Sequence, residues 1–177
     1  MSSEQKTPED LASVKLLILD SDGVLTDGGV YIDEEGREMR RFNIKDGAGI
    51  KRLQAAGIPV AIISSAAARP VESRARTLGV TDVFVGARDK VEVADRLRQK
   101  YALQWEQIGF VGDDVADLDL LRRVGFPVAV GDAIDEVKSV AKLVLERAGG
   151  HGAVRELSDL LVQRIASTTT QLNVPSI

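Results

Sequence analysis

Short, uniformly apolar runs alternate with segments of helical periodicity along most of this chain, and this alternation restricts its fold more than any other feature. Each run is too short for a helix and too evenly apolar for a strand with one face in water. Such runs are typical of strands that are buried on both faces of a parallel sheet. They occupy positions 16–19, 60–63, 83–85, 108–111, 128–130 and 143–145.

Between the runs, apolar residues recur three or four positions apart, which predicts amphipathic helices. Asp89 and Asp114 stand where two of these helices would begin, where a carboxylate can cap backbone N–H groups and offset the helix dipole. Strands joined by helices form right-handed crossovers, so the pattern predicts a three-layer αβα sandwich around a mostly parallel, Rossmann-like sheet. The two clearest helical stripes are Val91, Ala94, Leu97 and Tyr101, and Val115, Leu118, Leu121 and Val124.

One segment, residues 29–43, breaks this alternation. It contains two short β-type runs on either side of Asp33-Glu34-Glu35-Gly36, and glycine at the fourth position suits a type I turn. We expect a β-hairpin after the first strand, which either hangs over the site as a flap or is a surface ornament. About 20 residues separate Asp22 from Phe42, which leaves room for a hairpin and no room for a large cap domain.

Length and composition narrow the classes of protein. The 177 residues suit one domain spanning 1–177, with flexible tails at 1–12 and 167–177. A net charge of −4 does not indicate the excess of basic residues that binding to nucleic acid or to an anionic membrane requires. The absence of cysteine and the single histidine, His151, exclude thiol chemistry and multi-histidine metal sites. No apolar targeting or membrane-spanning run is present, so we expect a cytoplasmic protein.

Acidic side chains follow two of the predicted strands. Asp20 and Asp22 end the first run, and Asp113 and Asp114 end the run at 108–111. Taken alone, the first pair is typical of a turn or of a fragment of a calcium-binding loop, and the second pair is typical of an acid-rich helix start. If the two strands are neighbours, however, the carboxylates converge, and charges about 4 Å apart repel by roughly 4 kcal/mol at an effective dielectric near 20. A divalent cation would relieve that repulsion, and all-oxygen ligation points to Mg²⁺.

A hydroxyl and a lysine follow two other runs. Ser64 and Ser65 end the run at 60–63, where they either cap the next helix or hold a phosphate with a hydroxyl and backbone N–H groups. Lys90 begins the helix that carries Val91. A lone lysine is usually a solvated surface group, but beside the carboxylates it would supply positive charge for an anionic substrate.

The order of these clusters, DSDGVLTDG, IIS, DK and VGDDVAD, resembles that of the haloacid dehalogenase superfamily of phosphatases. The segments FNIKDGAGIKRL, ESRARTLGV and AGGHGAVREL are similar to its capless branch, which includes 3-deoxy-D-manno-octulosonate 8-phosphate (KDO 8-phosphate) phosphatase. The resemblance implies a Mg²⁺-dependent phosphomonoesterase that hydrolyses a small sugar phosphate, above all KDO 8-phosphate, through an aspartyl-phosphate. Another sugar-acid phosphate, such as a nonulosonate 9-phosphate, stays open as the substrate.

Residue roles follow from the same resemblance. It makes Asp20 the nucleophile and Asp22 the general acid/base, and places Ser64 and Lys90 on the transferring phosphoryl group. Mg²⁺ would be held by the Asp20 side chain, the Asp22 backbone carbonyl and Asp113, with Asp114 supporting its water shell and Lys90. The positions that correspond to substrate contacts are Asp22, Asn43, Ile44, Lys45, Asp46, Gly47, Lys51, Arg74 and Lys90.

Two positions depart from the pattern of these relatives. Ala66 stands where many have an arginine near the substrate, and Arg69 is a candidate replacement. His151 stands where an arginine is common, in a segment that can reach towards a neighbouring subunit's site. Relatives assemble as tetramers, and an exposed hairpin carrying apolar side chains would need a partner. We therefore expect a homotetramer; the apolar side chains are Val30, Ile32, Met39 and Phe42.

Two other classes of protein share some of these features. A phospho-receiver domain also combines an αβα sandwich, clustered acids, a hydroxyl and a lysine, but its phosphoacceptor aspartate ends a later, central strand, and the run at 83–85 ends in Gly86. A non-catalytic relative would be expected to lose its nucleophile or its metal ligand first, and here Asp20 and Asp113 are both present.

Overall fold

The structure, a computed structural model, describes residues 9–172 of the chain. Within these residues six strands form one parallel sheet, in the order β5-β4-β1-β6-β7-β8, and two more strands pair separately as a hairpin. The strands are β1 (Leu16–Leu19), β2 (Tyr31–Ile32), β3 (Glu38–Met39), β4 (Val60–Ile63), β5 (Asp82–Phe84), β6 (Ile108–Gly112), β7 (Phe126–Ala129) and β8 (Leu143–Val144).

Helices connect the parallel strands and flank the sheet. They are α1 (Ile44–Ala55), α2 (Arg69–Leu78), α3 (Lys90–Lys100), α4 (Leu118–Leu121), α5 (Asp135–Val140) and α6 (Ala153–Leu172), with 3₁₀ turns at Glu9–Ser13, Trp105–Gln107 and Val115–Asp117. Contacts join α1 with α2 and α6, and α4 with α3 and α5. Since right-handed crossovers that run in opposite directions cover opposite faces, these two groups form the outer layers. The predicted αβα sandwich is confirmed.

The sheet reverses its winding direction at β1, which lies between β4 and β6. Leu19 pairs with Ile62 on one side and with Val111 on the other, so three strands end side by side. The first apolar run and the run at 108–111 are therefore neighbours, which is the condition under which the acidic side chains were expected to converge. In open α/β sheets ligands bind at such a reversal, beyond the carboxyl ends of the strands.

The predicted helix starts are present, with one difference in the second. The Asp89 carboxylate accepts a hydrogen bond from the Glu92 N–H (2.9 Å), and α3 follows as expected. After Asp114, however, the chain forms a 3₁₀ turn before α4 begins. Because this turn changes the helical phase, Val115 does not join the apolar stripe and is 59% exposed.

The hairpin is also present, between β1 and α1, where no large cap domain is found among the described residues. The Gly36 N–H donates to the Asp33 carbonyl (2.9 Å), which closes the predicted turn. Phe42 was expected to be exposed, but it pairs with Thr26 and packs, partly buried, against the core. The exposed apolar side chains of the hairpin are Val30, Tyr31, Ile32 and Met39.

The inner part of each predicted tail lies in a described element. Residues 9–12 belong to the turn Glu9–Ser13, in which Leu11 is fully buried, and α6 continues to Leu172. The rest of both predicted tails, 1–8 and 173–177, lies outside the described residues, and the single domain 1–177 stays a prediction. Within residues 9–172 no helix combines the length and the apolar character that crossing a bilayer requires.

A buried carboxylate fastens α6 to α1. Asp46, which is 1% exposed, lies in the first turn of α1. Its Oδ1 accepts a hydrogen bond from the Arg155 N–H (2.9 Å), and its Oδ2 accepts one from the Gly152 N–H (3.2 Å). These donors lie at the start of α6, where backbone N–H groups have no partner within the helix. Asp46 therefore holds a junction between two helices.

Replacing this carboxylate should destabilise the fold. Asp46→Ala leaves two backbone N–H groups without their acceptor, so we expect the free energy of unfolding to fall by about 2–4 kcal/mol in urea denaturation. Lys45→Ala, at the exposed neighbouring position, is the matched control and should change it by less than about 0.5 kcal/mol. Equal losses in the two variants would contradict the assigned role of Asp46.

Candidate active site

Three carboxylates from two strand ends meet at the carboxyl edge of the sheet. Asp20 directly follows β1, and Asp113 and Asp117 follow β6. Each of the three offers one oxygen atom, and these atoms lie within 4.8 Å of one another. The Asp20 N–H donates to the Val111 carbonyl (3.0 Å), which continues the strand pairing to the edge of the cluster. The register of the sheet therefore sets the spacing of the carboxylates.

Lys90, the first residue of α3, lies between two of these carboxylates. Its Nζ donates to Asp20 Oδ1 (2.8 Å) and to Asp117 Oδ1 (2.6 Å), and its side chain is 5% exposed. Burial alone would lower the pKa of Lys90, but the negative charges of Asp20 and Asp117 raise it overall. The ammonium group therefore stays charged, and it is one cation among three acids.

The carboxylates carry more negative charge than this lysine neutralises. Burial, reinforced by repulsion from Asp117, raises the pKa of Asp20 to about 7 even though Lys90 opposes the shift. Burial and the neighbouring carboxylates, of which Asp20 contributes most, raise the pKa of Asp113 to about 8. Within the described residues, Asp113 Oδ1 is buried without a hydrogen-bond partner. A buried group of oxygen donors with excess negative charge fits a hard divalent cation such as Mg²⁺.

Two glycines allow the loop after β1 to close over the cluster. Gly23 has a φ of +84°, and a Cβ at this position would overlap the Asp113 carboxylate. A Cβ on Gly149 would in turn overlap the Gly23 carbonyl, so the glycine-rich segment 148–152 packs in close backbone contact with this loop. Asn43 Nδ2 ties that segment to the start of α1 by donating to the Gly150 carbonyl (3.2 Å).

An open cavity of about 320 Å³ lies over the cluster, and it brings together most of the predicted chemical residues. Ser64 enters it from the end of β4, and its backbone is fixed by hydrogen bonds to Phe84 and Ala87. Ser64 does not cap a helix, because α2 begins at Arg69 and its N-cap is Ala68. The residues around the cavity are Asp20, Asp22, Gly23, Gly28, Ser64, Ser65, Ala66, Lys90, Asp113, Asp114, Ala116 and Asp117.

Asp117 lies in the position beside Lys90 that the resemblance suggested for Asp114. Asp114 Oδ1 instead accepts from the Val115 N–H (2.7 Å), so its carboxylate caps the 3₁₀ turn. Asp117 Oδ2 accepts from the Asp113 N–H (2.9 Å), while its Oδ1 binds Lys90. The sequence did carry a signal for Asp117, the Asp-x-x-Asp spacing of a capping box.

Asp22 has a partner that sequence reasoning missed. Its side chain is 31% exposed, and its Oδ1 accepts a hydrogen bond from Arg40 Nε (2.9 Å). Arg40 directly follows β3, so the partner comes from the hairpin. The sequence gives no signal for this contact. Arg40 belongs to no motif, and two adjacent arginines in a predicted hairpin are more often solvated surface residues.

The remaining predicted substrate contacts lie in or just before α1, except Arg74, which lies on α2, and none of them lines the 320 Å³ cavity. Arg74 Nη2 donates to the Asn43 carbonyl (3.2 Å), and the buried Gly47 packs against this guanidinium. Ile44 is 82% exposed, and Lys45 and Lys51 are exposed too. Their roles stay predictions. Arg69 lines a separate cavity of about 500 Å³, together with Arg37, Glu38, Ala67, Ala68, Pro70 and Ser73.

Comparisons with known proteins agree with this geometry. The profile of the haloacid dehalogenase-like hydrolase family matches residues 78–157. The chain is 43% identical over 150 residues to 3-deoxy-D-manno-octulosonate 8-phosphate phosphatase KdsC of Escherichia coli K12, covering 85% of this chain and 80% of that protein. The crystal structure of the Yersinia pestis phosphatase of the same name has a TM-score of 0.87 and 38% identity, covering 91% of this chain and 87% of that one.

A crystal structure of the Moraxella catarrhalis 3-deoxy-D-manno-octulosonate 8-phosphate phosphatase is also similar. It was determined in complex with a magnesium ion, a phosphate ion and KDO. Its TM-score is 0.86 at 29% identity, and the match covers 93% of this chain and 97% of that one.

The raised carboxyl pKa values predict that cation binding is linked to proton release. Asp20 and Asp113, with pKa values of about 7 and about 8, are partly protonated at pH 7 in the metal-free protein. Mg²⁺ binds the deprotonated carboxylates, so its affinity should rise between pH 6 and 9, with release of roughly 1.4 protons per ion at pH 7. Isothermal titration calorimetry in two buffers of different ionisation enthalpy measures this number.

The control for this experiment is Asp113→Asn, which removes one titrating group and should lower both the affinity and the proton release. The same pKa values act in the opposite direction on the metal-free protein. Because they lie above the ordinary value of 3.8, they stabilise the folded state at low pH, and this contribution is lost progressively as the pH rises from about 4 to about 8. Mg²⁺ should therefore raise the melting temperature more at pH 8.5 than at pH 6. Binding without proton release, or with pH-independent affinity, would contradict a shared site at these carboxylates.

Proposed function

Because this chain belongs to the haloacid dehalogenase-like hydrolases, in the family of 3-deoxy-D-manno-octulosonate 8-phosphate phosphatases, we propose that it hydrolyses KDO 8-phosphate with Mg²⁺ as cofactor. It is a phosphoric monoester hydrolase for a sugar phosphate, which sets aside the receiver-domain and non-catalytic alternatives. The observation that carries the proposal is the convergence of Asp20, Asp113 and Asp117 around Lys90 in one cavity.

The donor set suits the cofactor. Asp20 and Asp113 are the side chains that would hold Mg²⁺, together with the backbone carbonyl of Asp22, while Asp114 would support its water shell. Asp117 accepts hydrogen bonds from Lys90 and from the Asp113 N–H through its two oxygens, and so holds both residues in position. When bound, Mg²⁺ supplies positive charge that offsets the carboxylates and the phosphoryl oxygens.

In the first step, Asp20 acts as the nucleophile. One of its carboxylate oxygens forms a bond to phosphorus, the bond between phosphorus and the sugar oxygen breaks, and Asp22 donates its proton to that leaving oxygen. Lys90 stays in contact with Asp20 and offsets charge on the phosphoryl oxygens, and the Ser64 hydroxyl donates a hydrogen bond to one of them. The products are a free sugar and an aspartyl-phosphate on Asp20.

In the second step, Asp22 acts as the base. It takes a proton from water as the water oxygen attacks phosphorus, and the bond between phosphorus and the Asp20 oxygen breaks. Inorganic phosphate leaves, and Asp22 is again protonated for the next cycle. The partial exposure of the Asp22 side chain suits this proton exchange with water. The burial of the Asp20 side chain limits the access of bulk solvent to the aspartyl-phosphate.

The sugar acid would contact the region around the start of α1. Lys45, Lys51 and Arg74 provide positive charge there, which suits a substrate carboxylate. Asn43, Ile44 and Gly47 would contact the sugar through backbone groups and shape the surface on which it lies. Asp46 supports this surface from below through its bonds to α6. Ala66 leaves space where many relatives have an arginine, which keeps a larger nonulosonate 9-phosphate as the second candidate substrate.

The proposal also includes a cytoplasmic homotetramer. It is supported by the hairpin, on which Tyr31, Ile32 and Met39 are each more than half exposed. Apolar side chains clustered in this way usually mark an interaction surface. His151, which is exposed beside the loop after β1, would then contribute to a neighbouring subunit's site.

A phosphate-release screen over sugar phosphates tests the substrate. KDO 8-phosphate should be hydrolysed at least about tenfold faster, by kcat/KM, than hexose and pentose phosphates, because only it combines an aliphatic phosphate with a carboxylate at the far end. EDTA should abolish turnover and Mg²⁺ should restore it. A higher kcat/KM for a nonulosonate 9-phosphate would transfer the assignment to that substrate, and metal-independent turnover would contradict the cofactor.

Removing the nucleophile tests the mechanism. Asp20→Asn keeps the size of the side chain but removes the attacking charge, so kcat should fall by about 10³-fold or more while the protein stays folded. Asp119→Asn is a matched control, because Asp119 lies just beyond the cluster and its side chain is 92% exposed; its kcat should be unchanged. Turnover by Asp20→Asn close to that of the unchanged protein would remove Asp20 from its role.

A further inference from the structure

The side chain of Arg40 is buried, although it belongs to a hairpin whose apolar side chains face solvent. It directly follows β3, and its side chain is 4% exposed, whereas Met39 beside it is 56% exposed. Burying a guanidinium group costs free energy unless carboxylates or other acceptors replace the lost water. The partners of Arg40 therefore explain why it is turned inward.

Those partners are one acid of the cavity and one acid of the hairpin. Arg40 Nε donates to Asp22 Oδ1 (2.9 Å), and Nη1 donates to Glu38 Oε2 (2.8 Å). Burial alone would lower the pKa of Arg40, but the hydrogen bonds to Asp22 and Glu38 raise it overall, so the cation is permanent. Because the guanidinium is planar and rigid, fixing one edge on Glu38 fixes the direction of the other.

We propose that Arg40 is a positioning residue that fixes the orientation of the Asp22 carboxyl group and so determines which of its oxygens exchanges the proton. This inference rests on the proposed function of Asp22 as general acid/base. The last torsion of an aspartate side chain is broad and roughly two-fold, so the backbone alone does not distinguish Oδ1 from Oδ2. Arg40 removes this ambiguity.

The chemistry of the contact determines the outcome. A guanidinium group only donates hydrogen bonds, so the Asp22 oxygen that faces it must accept and cannot carry the proton. With Oδ1 engaged by Arg40, the proton of the acid form lies on Oδ2, and it is Oδ2 that donates to the leaving oxygen and later takes a proton from water. The Asp22 side chain is also partly exposed to solvent, so without this contact its carboxyl group would sample several orientations.

This role has a consequence that depends on the leaving group. A sugar alkoxide is a poor leaving group and needs the proton from Asp22, whereas p-nitrophenolate leaves without one. The value of kcat/KM covers the steps up to release of the alcohol. Loss of Arg40 should therefore lower kcat/KM for a sugar phosphate and leave kcat/KM for p-nitrophenyl phosphate nearly unchanged.

The experiment compares Arg40→Gln with Arg37→Gln. Arg37 lies on the same hairpin, but its side chain is 75% exposed and pairs with Asp33 and Glu35. We expect Arg40→Gln to lower kcat/KM for KDO 8-phosphate by about 10- to 100-fold, part of the usual contribution of general acid catalysis, and to change that for p-nitrophenyl phosphate by less than about threefold. Arg37→Gln should change neither, and Arg40→Lys should recover part of the loss, because it restores the charge without the rigid fork.

Retained activity towards p-nitrophenyl phosphate also shows that the Arg40→Gln site is folded. Equal losses for the two substrates, or no loss for either, would overturn the positioning role and leave the proposed function standing. If the unchanged protein does not hydrolyse KDO 8-phosphate, the proposed substrate fails, and the same comparison is made with an aliphatic phosphate that it does hydrolyse, such as glucose 6-phosphate.

Discussion

The candidate active site depends on the electrostatic balance at the junction of β1 and β6. Two adjacent strands end in carboxylates, and burial there makes repulsion between like charges far more costly than in water. Lys90 offsets part of the charge through short bonds to Asp20 and Asp117, and the raised pKa values of Asp20 and Asp113 show that negative charge remains in excess. A protein gains no stability from such a cluster, but a site for a divalent cation and a phosphoryl group requires it.

The apolar strands make this cluster possible. They are buried on both faces, and their register is fixed by close packing, so the groups at their ends are held in place without having to stabilise the fold themselves. Other elements complete the site from outside the sheet: the hairpin provides Arg40 for Asp22, and the glycine-rich segment 148–152 presses on the loop that carries Gly23. In the proposed mechanism, the nucleophile therefore lies at the end of the sheet, whereas the residue that orients the acid comes from the hairpin.

The sequence predicted the parallel sheet and the hairpin, because apolar periodicity reports burial directly, but it left open whether β1 and β6 are neighbours. It did not predict how polar side chains pair. The 3₁₀ turn after β6 rotates Asp117, rather than Asp114, towards Lys90, and the contact between Arg40 and Asp22 depends on how the hairpin folds back over 18 positions of chain. Asp46 shows the same limit, since a motif position suggested substrate binding where the carboxylate also holds two helices together.

The most direct test of the central claim is a crystal structure with Mg²⁺ and beryllium trifluoride, a mimic of a phosphoryl group on a carboxylate. We expect density for the trifluoride joined to an oxygen of Asp20, with the ion held between Asp20 and Asp113 and with Lys90 against the fluorides. Beryllium trifluoride on another aspartate, or an ion bound away from these carboxylates, would contradict it.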